Sequence, residues 1–201
     1  MSAHEILMFV GDSITDAGRD RSRPDSLGDG YVSLVAPELP GSRIINAGIA
    51  GDRVRDLSAR WERDVLSHSP STLTVYVGVN DTWRRFDDGD PTTSQEFEDA
   101  LGDLLDVWPR DHAPRLILME PFLLPVRSEQ REWLDDLAGK RRAVAAIAAE
   151  LDASFVPLHG ILSEAAAGVG GEALAPDGVH PTATGSRIIA DAWLDAYSGR
   201  A

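Results

Sequence analysis

Five short apolar runs recur along the chain: Ile6–Val10, Arg43–Asn46, Leu73–Val77, Leu116–Met119 and Ser154–Val156. Most are continuously apolar rather than alternating. That is the pattern of strands buried on both faces, as in a parallel sheet. Between the runs lie helical periods. Val54, Leu57, Trp61 and Val65 share one face. Phe97, Leu101, Leu104, Leu105 and Trp108 share another, behind a capping box at Thr93 and Glu96. A longer period runs through Trp133, Leu137, Val144, Ile147, Ala148 and Leu151, with Gly139 as a candidate break. The last period runs through Ile188, Ile189, Ala192, Trp193 and Ala196, with Pro181 suited to its first turn. Tyr31, Leu34 and Val35 mark a short helix after the first strand. Strand and helix therefore alternate, which predicts an α/β fold: a three-layer α/β/α sandwich around a five-stranded parallel sheet.

The chain has 201 residues, 43% of them hydrophobic, enough for one domain spanning residues 1–201 to bury its own core. No repeat, low-complexity tract or long linker divides it. It has no cysteine, which excludes disulfides, thiolate-held metals and a thiol nucleophile. Nineteen basic against 33 acidic residues give a net charge of −14, which would repel nucleic acid and anionic membranes. The stretch Asp87 to Asp106 holds eight acidic residues and no basic one, and reads as a solvated loop and helix face. The N-terminal Met1–Glu5 carries no basic segment, and the run Ile6–Val10 is far too short for a signal peptide or membrane span. A cytoplasmic location is the expectation that follows.

Ligands of open α/β sheets bind beyond the carboxyl ends of the strands, so chemistry is sought just after each apolar run. Gly11-Asp12-Ser13 follows the first. A serine on a sharp turn there can present its Oγ at the sheet edge, although the same tripeptide also serves as a turn in which Asp12 or Ser13 caps a helix. Asn46 to Asp52, with Gly48 and Gly51, follows the second. Its glycines let a backbone N–H approach a ligand, or simply turn the chain, with Asp52 as a helix cap. Gly78-Val79-Asn80-Asp81 follows the third; the Asn80 amide can stabilise an oxyanion without neutralising a base, or serve a turn. Near the C-terminus, Asp177 lies three residues before His180. Such a carboxylate can orient the imidazole and stabilise its protonated form, and helix capping is the alternative. Together the four segments supply a nucleophile, oxyanion donors, a base and an orienting acid.

These four segments resemble the signature blocks of the GDSL, or SGNH, hydrolase superfamily, in order and in spacing. The flanks Ile14–Arg19, Gly30-Tyr31-Val32, Val54–Leu57, Arg60-Trp61-Glu62, Thr82-Trp83-Arg84 and Glu120-Pro121-Phe122 are similar to bacterial intracellular acetylxylan esterases of that superfamily. The resemblance implies a flavodoxin-like arrangement of the sheet. It implies Ser13 as nucleophile, His180 as general base and acid, and Asp177 as its support. It implies an oxyanion hole from the backbone N–H groups of Ser13 and Gly51 and the side-chain amide of Asn80. Trp83, three residues past Asn80, is a candidate substrate contact with a flat face for a sugar ring, and Arg84 and Tyr31 are further candidates, the arginine being equally suited to pair with an acid; the resemblance implies no metal or organic cofactor. The substrate would be a small ester, above all an acetylated sugar.

Several readings stay open. The same scaffold serves thioesterases, lysophospholipases and broad short-chain carboxylesterases. A metal-dependent hydrolase would use Asp12, Asp177 and His180, but the chain lacks an H-x-x-x-H pair. A non-catalytic carbohydrate-binding protein is the third alternative. Trp133 reads as core or sugar contact, and Trp61 as core. Arg55 is expected to pair with Asp52 or Asp56. Phe122, Leu123, Leu124 and Val126 would cover the core or line an interface in a homo-oligomer.

Overall fold

Every apolar run forms a strand. The computed structural model describes residues 5–108 and 113–199; the N-terminal residues Met1–His4, read above for targeting signals, lie outside it. The strands are β1 (Ile6–Gly11), β2 (Arg43–Asn46), β3 (Thr72–Tyr76), β4 (Arg115–Met119) and β5 (Ser154–Val156). They make one parallel sheet in the order β2-β1-β3-β4-β5. The chain starts in the middle, moves out to β2, and returns past β1 to β3. The connections after β1 and β3 thus run to opposite sides, leaving a crevice at their carboxyl ends.

The α-helices among the described residues are α1 (Ser13–Asp16), α2 (Tyr31–Val35), α3 (Val54–Asp64), α4 (Val79–Asp87), α5 (Ser94–Leu105), α6 (Trp133–Glu150), α7 (Leu158–Val169), α8 (Gly171–Leu174) and α9 (Ala183–Ser198). In β1, Leu7 and Phe9 enter one core with α2, α7 and α9, while Met8 and Val10 enter the other with α3, α5 and α6. Strand side chains alternate between faces, so a sheet covered on both sides needs apolar residues throughout. Two positions of β3, Thr72 and Thr74, are polar and buried, and both are satisfied. Thr72 Oγ1 donates to Glu5 Oε1 (3.1 Å), and Thr74 Oγ1 accepts from Trp193 Nε1 (2.8 Å).

The capping box forms as expected: Glu96 N–H donates to Thr93 Oγ1 (3.2 Å) and Thr93 N–H to Glu96 Oε2 (2.8 Å). Three local expectations are corrected. Gly139 does not break α6. A Cβ there would lie 1.8 Å from Ser94 Oγ, so this glycine lets α5 and α6 approach closely. Pro181 precedes α9 rather than opening it, because Thr182 is the cap and accepts from Gly185 N–H (3.2 Å). The simple alternation of one strand and one helix also understates the chain, since α1, α4, α7 and α8 are additional. Trp61 is core at 4% exposure, as are Trp133, Phe122, Leu123 and Leu124. No helix among the described residues is long and apolar enough to cross a membrane.

Candidate active site

Asp12 caps α1 by accepting from Ile14 N–H (3.0 Å), and Ser13 is the first helical residue. Its N–H has no acceptor one turn earlier in that helix. Tyr31 Oη lies 3.1 Å from Thr15 Oγ1 under this turn. At 1% exposure, Tyr31 supports the serine segment from the core rather than offering a face to substrate.

The second segment turns over Ile49–Asp52, closed by Asp52 N–H donating to Ile49 O (3.2 Å). Gly51 sits inside it with φ +89°, where an L side chain would be strained, and its N–H is not used to close the turn. Asp52 is not the helix cap; Arg53 occupies that position. Instead, Asp52 O accepts from Asn80 Nδ2 (3.1 Å), which joins the glycine turn to the start of α4. The second proton on that amide is free for another acceptor. Ala50 N–H donates to Asp16 Oδ2 (2.9 Å), joining the same turn to α1. Asn46 completes the support: its amide donates to Thr15 O (2.6 Å) and Leu27 O (2.8 Å), and its Oδ1 accepts from Gly48 N–H (2.9 Å).

The C-terminal segment meets the serine. Ser13 Oγ lies 2.9 Å from His180 Nε2, and His180 Nδ1 lies 2.6 Å from Asp177 Oδ2. Asp177 Oδ1 also accepts from the backbone N–H groups of His180 (2.7 Å) and Val179 (2.9 Å). Partial burial pulls the Asp177 pKa upward, but the bonds from the His180 ring and the two N–H groups outweigh it. The net shift is below the ordinary carboxylate value. An ionised Asp177 can only accept, so Nδ1 carries the ring proton and Nε2 presents its lone pair to the serine hydroxyl. Gly178 makes the loop possible: its φ is +87°, and a Cβ would lie 2.7 Å from Leu124 O. Gln130, 0% exposed, fixes the loop from behind by donating to Asp177 O (2.6 Å) and accepting from Val126 and Arg127 N–H.

The Trp83 ring centroid lies 6.0 Å from that of His180 and 5.5 Å from that of Trp133. Phe86 stacks on Trp133, with the ring centroids 5.6 Å apart. Arg84 is engaged by Asp87 (2.6 Å) and Asp88 (3.4 Å) of its own helix end. Arg55 pairs with Asp90 (2.7 Å), not with Asp52 or Asp56, because Asp90 comes back across the start of α3 and also takes Arg53 (3.0 Å). A cavity of 280 Å³ touches Ser13 and His180 and is bounded by Ile14, Ala17, Asp29 and Ala183. No group of three or more His, Asp or Glu spaced to hold a metal ion occurs among the described residues.

Asp12 is 1% exposed, and burial pushes its pKa up to about 7, against the Ile14 N–H bond and the His180 ring, which lower it. A carboxyl whose folded pKa is raised stabilises most below its unfolded value of ~3.9, and that contribution is lost as pH rises through the folded value. Asp12→Asn keeps an acceptor for Ile14 N–H and removes the titration. Its melting temperature relative to wild type is therefore expected to rise between about pH 4 and about pH 8. A constant difference in thermal melts across that window would contradict the assignment.

A hydroxyl, an imidazole and a carboxylate in line at the carboxyl edge of a parallel sheet form the arrangement by which serine hydrolases work. Comparison with known proteins agrees with that class. Residues 9–188 match the GDSL-like Lipase/Acylhydrolase family. An acetylxylan esterase from Geobacillus stearothermophilus is 36% identical over 207 aligned residues, covering 94% of this chain and 92% of the relative. The crystal structure of Axe2, an acetylxylan esterase from the same organism, superposes with a TM-score of 0.86 at 36% identity, covering 98% of this chain and 96% of that one. A GDSL-like lipase from Parabacteroides merdae gives a TM-score of 0.91 at 31% identity, over 96% and 95% of the two chains. The chain belongs to the GDSL-like lipase/acylhydrolase family and is a carboxylic ester hydrolase.

Proposed function

We propose that residues 1–201 act as one catalytic domain that removes acetyl groups from xylo-oligosaccharides or related sugars, with Ser13 as nucleophile. The observation that carries this reading is the bonded line from Ser13 Oγ through the His180 ring to Asp177, at 2.9 and 2.6 Å. His180 takes the serine proton as Oγ attacks the ester carbonyl. The tetrahedral oxyanion is held by the N–H groups of Ser13 and Gly51 and by the Asn80 amide. The imidazolium then gives its proton to the departing sugar oxygen. Water attacks the acyl-enzyme with the same histidine as base. The Geobacillus esterase has itself been crystallised as catalytic mutants of a serine, an aspartate and a histidine, the last two three residues apart. Asp177 and His180 have that spacing here.

Two features favour a small acyl group on a sugar. The 280 Å³ cavity against Ser13 and His180 lies just below the range of about 300–1,000 Å³ for small-molecule sites, leaving little room for a long chain. The half-buried Trp83 offers a flat apolar face beside His180, where the leaving alcohol must stand. The test compares acetate release from acetylated xylo-oligosaccharides with hydrolysis of p-nitrophenyl esters of graded length. We expect kcat/KM to be highest for the acetylated sugar and to fall along the series. A preference for acyl chains of about eight carbons or more, which would bury roughly 0.8 kcal/mol per added methylene in an apolar channel, would replace this reading with a lysophospholipase or thioesterase.

A further inference from the structure

We infer that Arg60 is a positioning residue that sets the spacing of the oxyanion donors by clamping three segments with one guanidinium. Arg60 lies in the second turn of α3 and is only 7% exposed. Its Nε donates to Asp52 Oδ2 (2.7 Å), its Nη2 to Gly11 O (3.3 Å) and its Nη1 to Asp64 Oδ2 (3.2 Å). Gly11 ends β1, two residues before Ser13. Asp52 follows Gly51 directly, and its carbonyl holds the Asn80 amide at 3.1 Å. Each of the three donors proposed above is thus one or two residues, or one hydrogen bond, away from a group that Arg60 holds.

The guanidinium suits this task because its donors project in fixed directions from one plane. A lysine ammonium could meet the Asp52 carboxylate but could not hold the three directions of the fork. Gly11 O is pinned a second time by Ile49 N–H (3.0 Å), so the end of β1 and the glycine turn are joined both directly and through Arg60. Burial raises the Asp52 pKa against the Arg60 charge, so without that charge this carboxylate would tend to protonate and the turn to relax. A shift of the donors by about 1 Å is enough to lower a rate by up to ~10².

The inference rests on the reading of Ser13, Gly51 and Asn80 as oxyanion donors, and the test separates the two. Asn80→Ala alone should lower kcat by about 10²–10³; no effect would sink the donor assignment and this inference with it. Arg60→Met should lower kcat by about 10–10² with KM within about twofold, and Arg60→Lys should recover part of the loss. The double variant Arg60→Met/Asn80→Ala should lose less than the product of the two single losses, because Asn80 is one of the three donors that the clamp holds. A folded Arg60→Met enzyme with wild-type kcat would overturn the clamp while leaving the catalytic reading intact. A double variant whose loss is the product of the single losses would overturn it equally. Should Arg60→Met fail to fold, Asp52→Asn tests the same link from its other end: kcat should fall with KM kept, and an unchanged kcat overturns the proposal.

Discussion

Replacement of Ser13 by alanine is expected to lower kcat for p-nitrophenyl acetate by on the order of 10⁶ while leaving the fold and the substrate cleft in place. The size of the effect follows from what the hydroxyl does. In the proposed mechanism no acyl-enzyme forms without Oγ, and the reaction would fall back on direct attack by water, aided only by the proposed oxyanion donors and by binding. The fold is spared because the Ser13 side chain makes one hydrogen bond, to His180, whereas the turn is held by Asp12, Thr15 and Asp16. Circular dichroism and melting temperature should match the wild type. A burst of p-nitrophenol equal to the enzyme concentration should appear in the wild type and vanish in the variant. Substantial ester turnover by folded Ser13→Ala enzyme would remove the nucleophile assignment, and with it the acyl-enzyme route.

The sheet was legible in the chain because both of its faces are covered. With no solvent face, the strands carry continuous apolar runs, and their ends are read to within about a residue or two. Thr72 and Thr74 blurred the start of β3, since their partners Glu5 and Trp193 are far away in sequence. Asp177 and His180 were legible because their contact is local. The contact of His180 with Ser13 spans 167 positions and needed the fold, or a family likeness, to be anticipated. α1 has only four residues and therefore no period to detect. α4 escaped because Asn80, Asp81 and Thr82 read as loop, whereas all three are buried. Asp81 accepts from Val54 N–H, and Thr82 Oγ1 donates to Asp136, which also holds Lys140 at 2.6 Å. Gln130, and the burial of Arg60, were not read for the same reason: arginine and glutamine are usually exposed, and nothing along the chain marks the carbonyls and carboxylates that bury them here.

Asp177→Asn is expected to lower kcat by about 10⁴ with a much smaller change in KM. The variant preserves shape, so the loss reports chemistry. With a carboxylate at position 177, the Nδ1 proton is fixed and Nε2 faces Ser13 as an acceptor. An asparagine whose amide turns its NH₂ toward Nδ1 selects the other tautomer, and the Nε2–H then opposes the serine proton instead of receiving it. The backbone contributes to this choice, because the His180 and Val179 N–H groups already occupy Asp177 Oδ1 and require an acceptor there. That leaves the substituted amide to present its nitrogen at the Oδ2 position, which is the one facing the ring. The pH dependence separates the two roles of the carboxylate. The wild-type Asp177 pKa lies below its ordinary value of 3.8, so it stays ionised on the whole neutral side, and any fall in rate toward about pH 5 is not its protonation. The variant also removes the negative charge that stabilises the imidazolium, so its rate–pH limb should move toward lower pH as its maximum falls. A variant with near wild-type kcat, or with a limb displaced toward higher pH, would mean that Asp177 neither orients nor charges the His180 ring. The 2.6 Å contact would then be a structural bond that only closes the loop before α9.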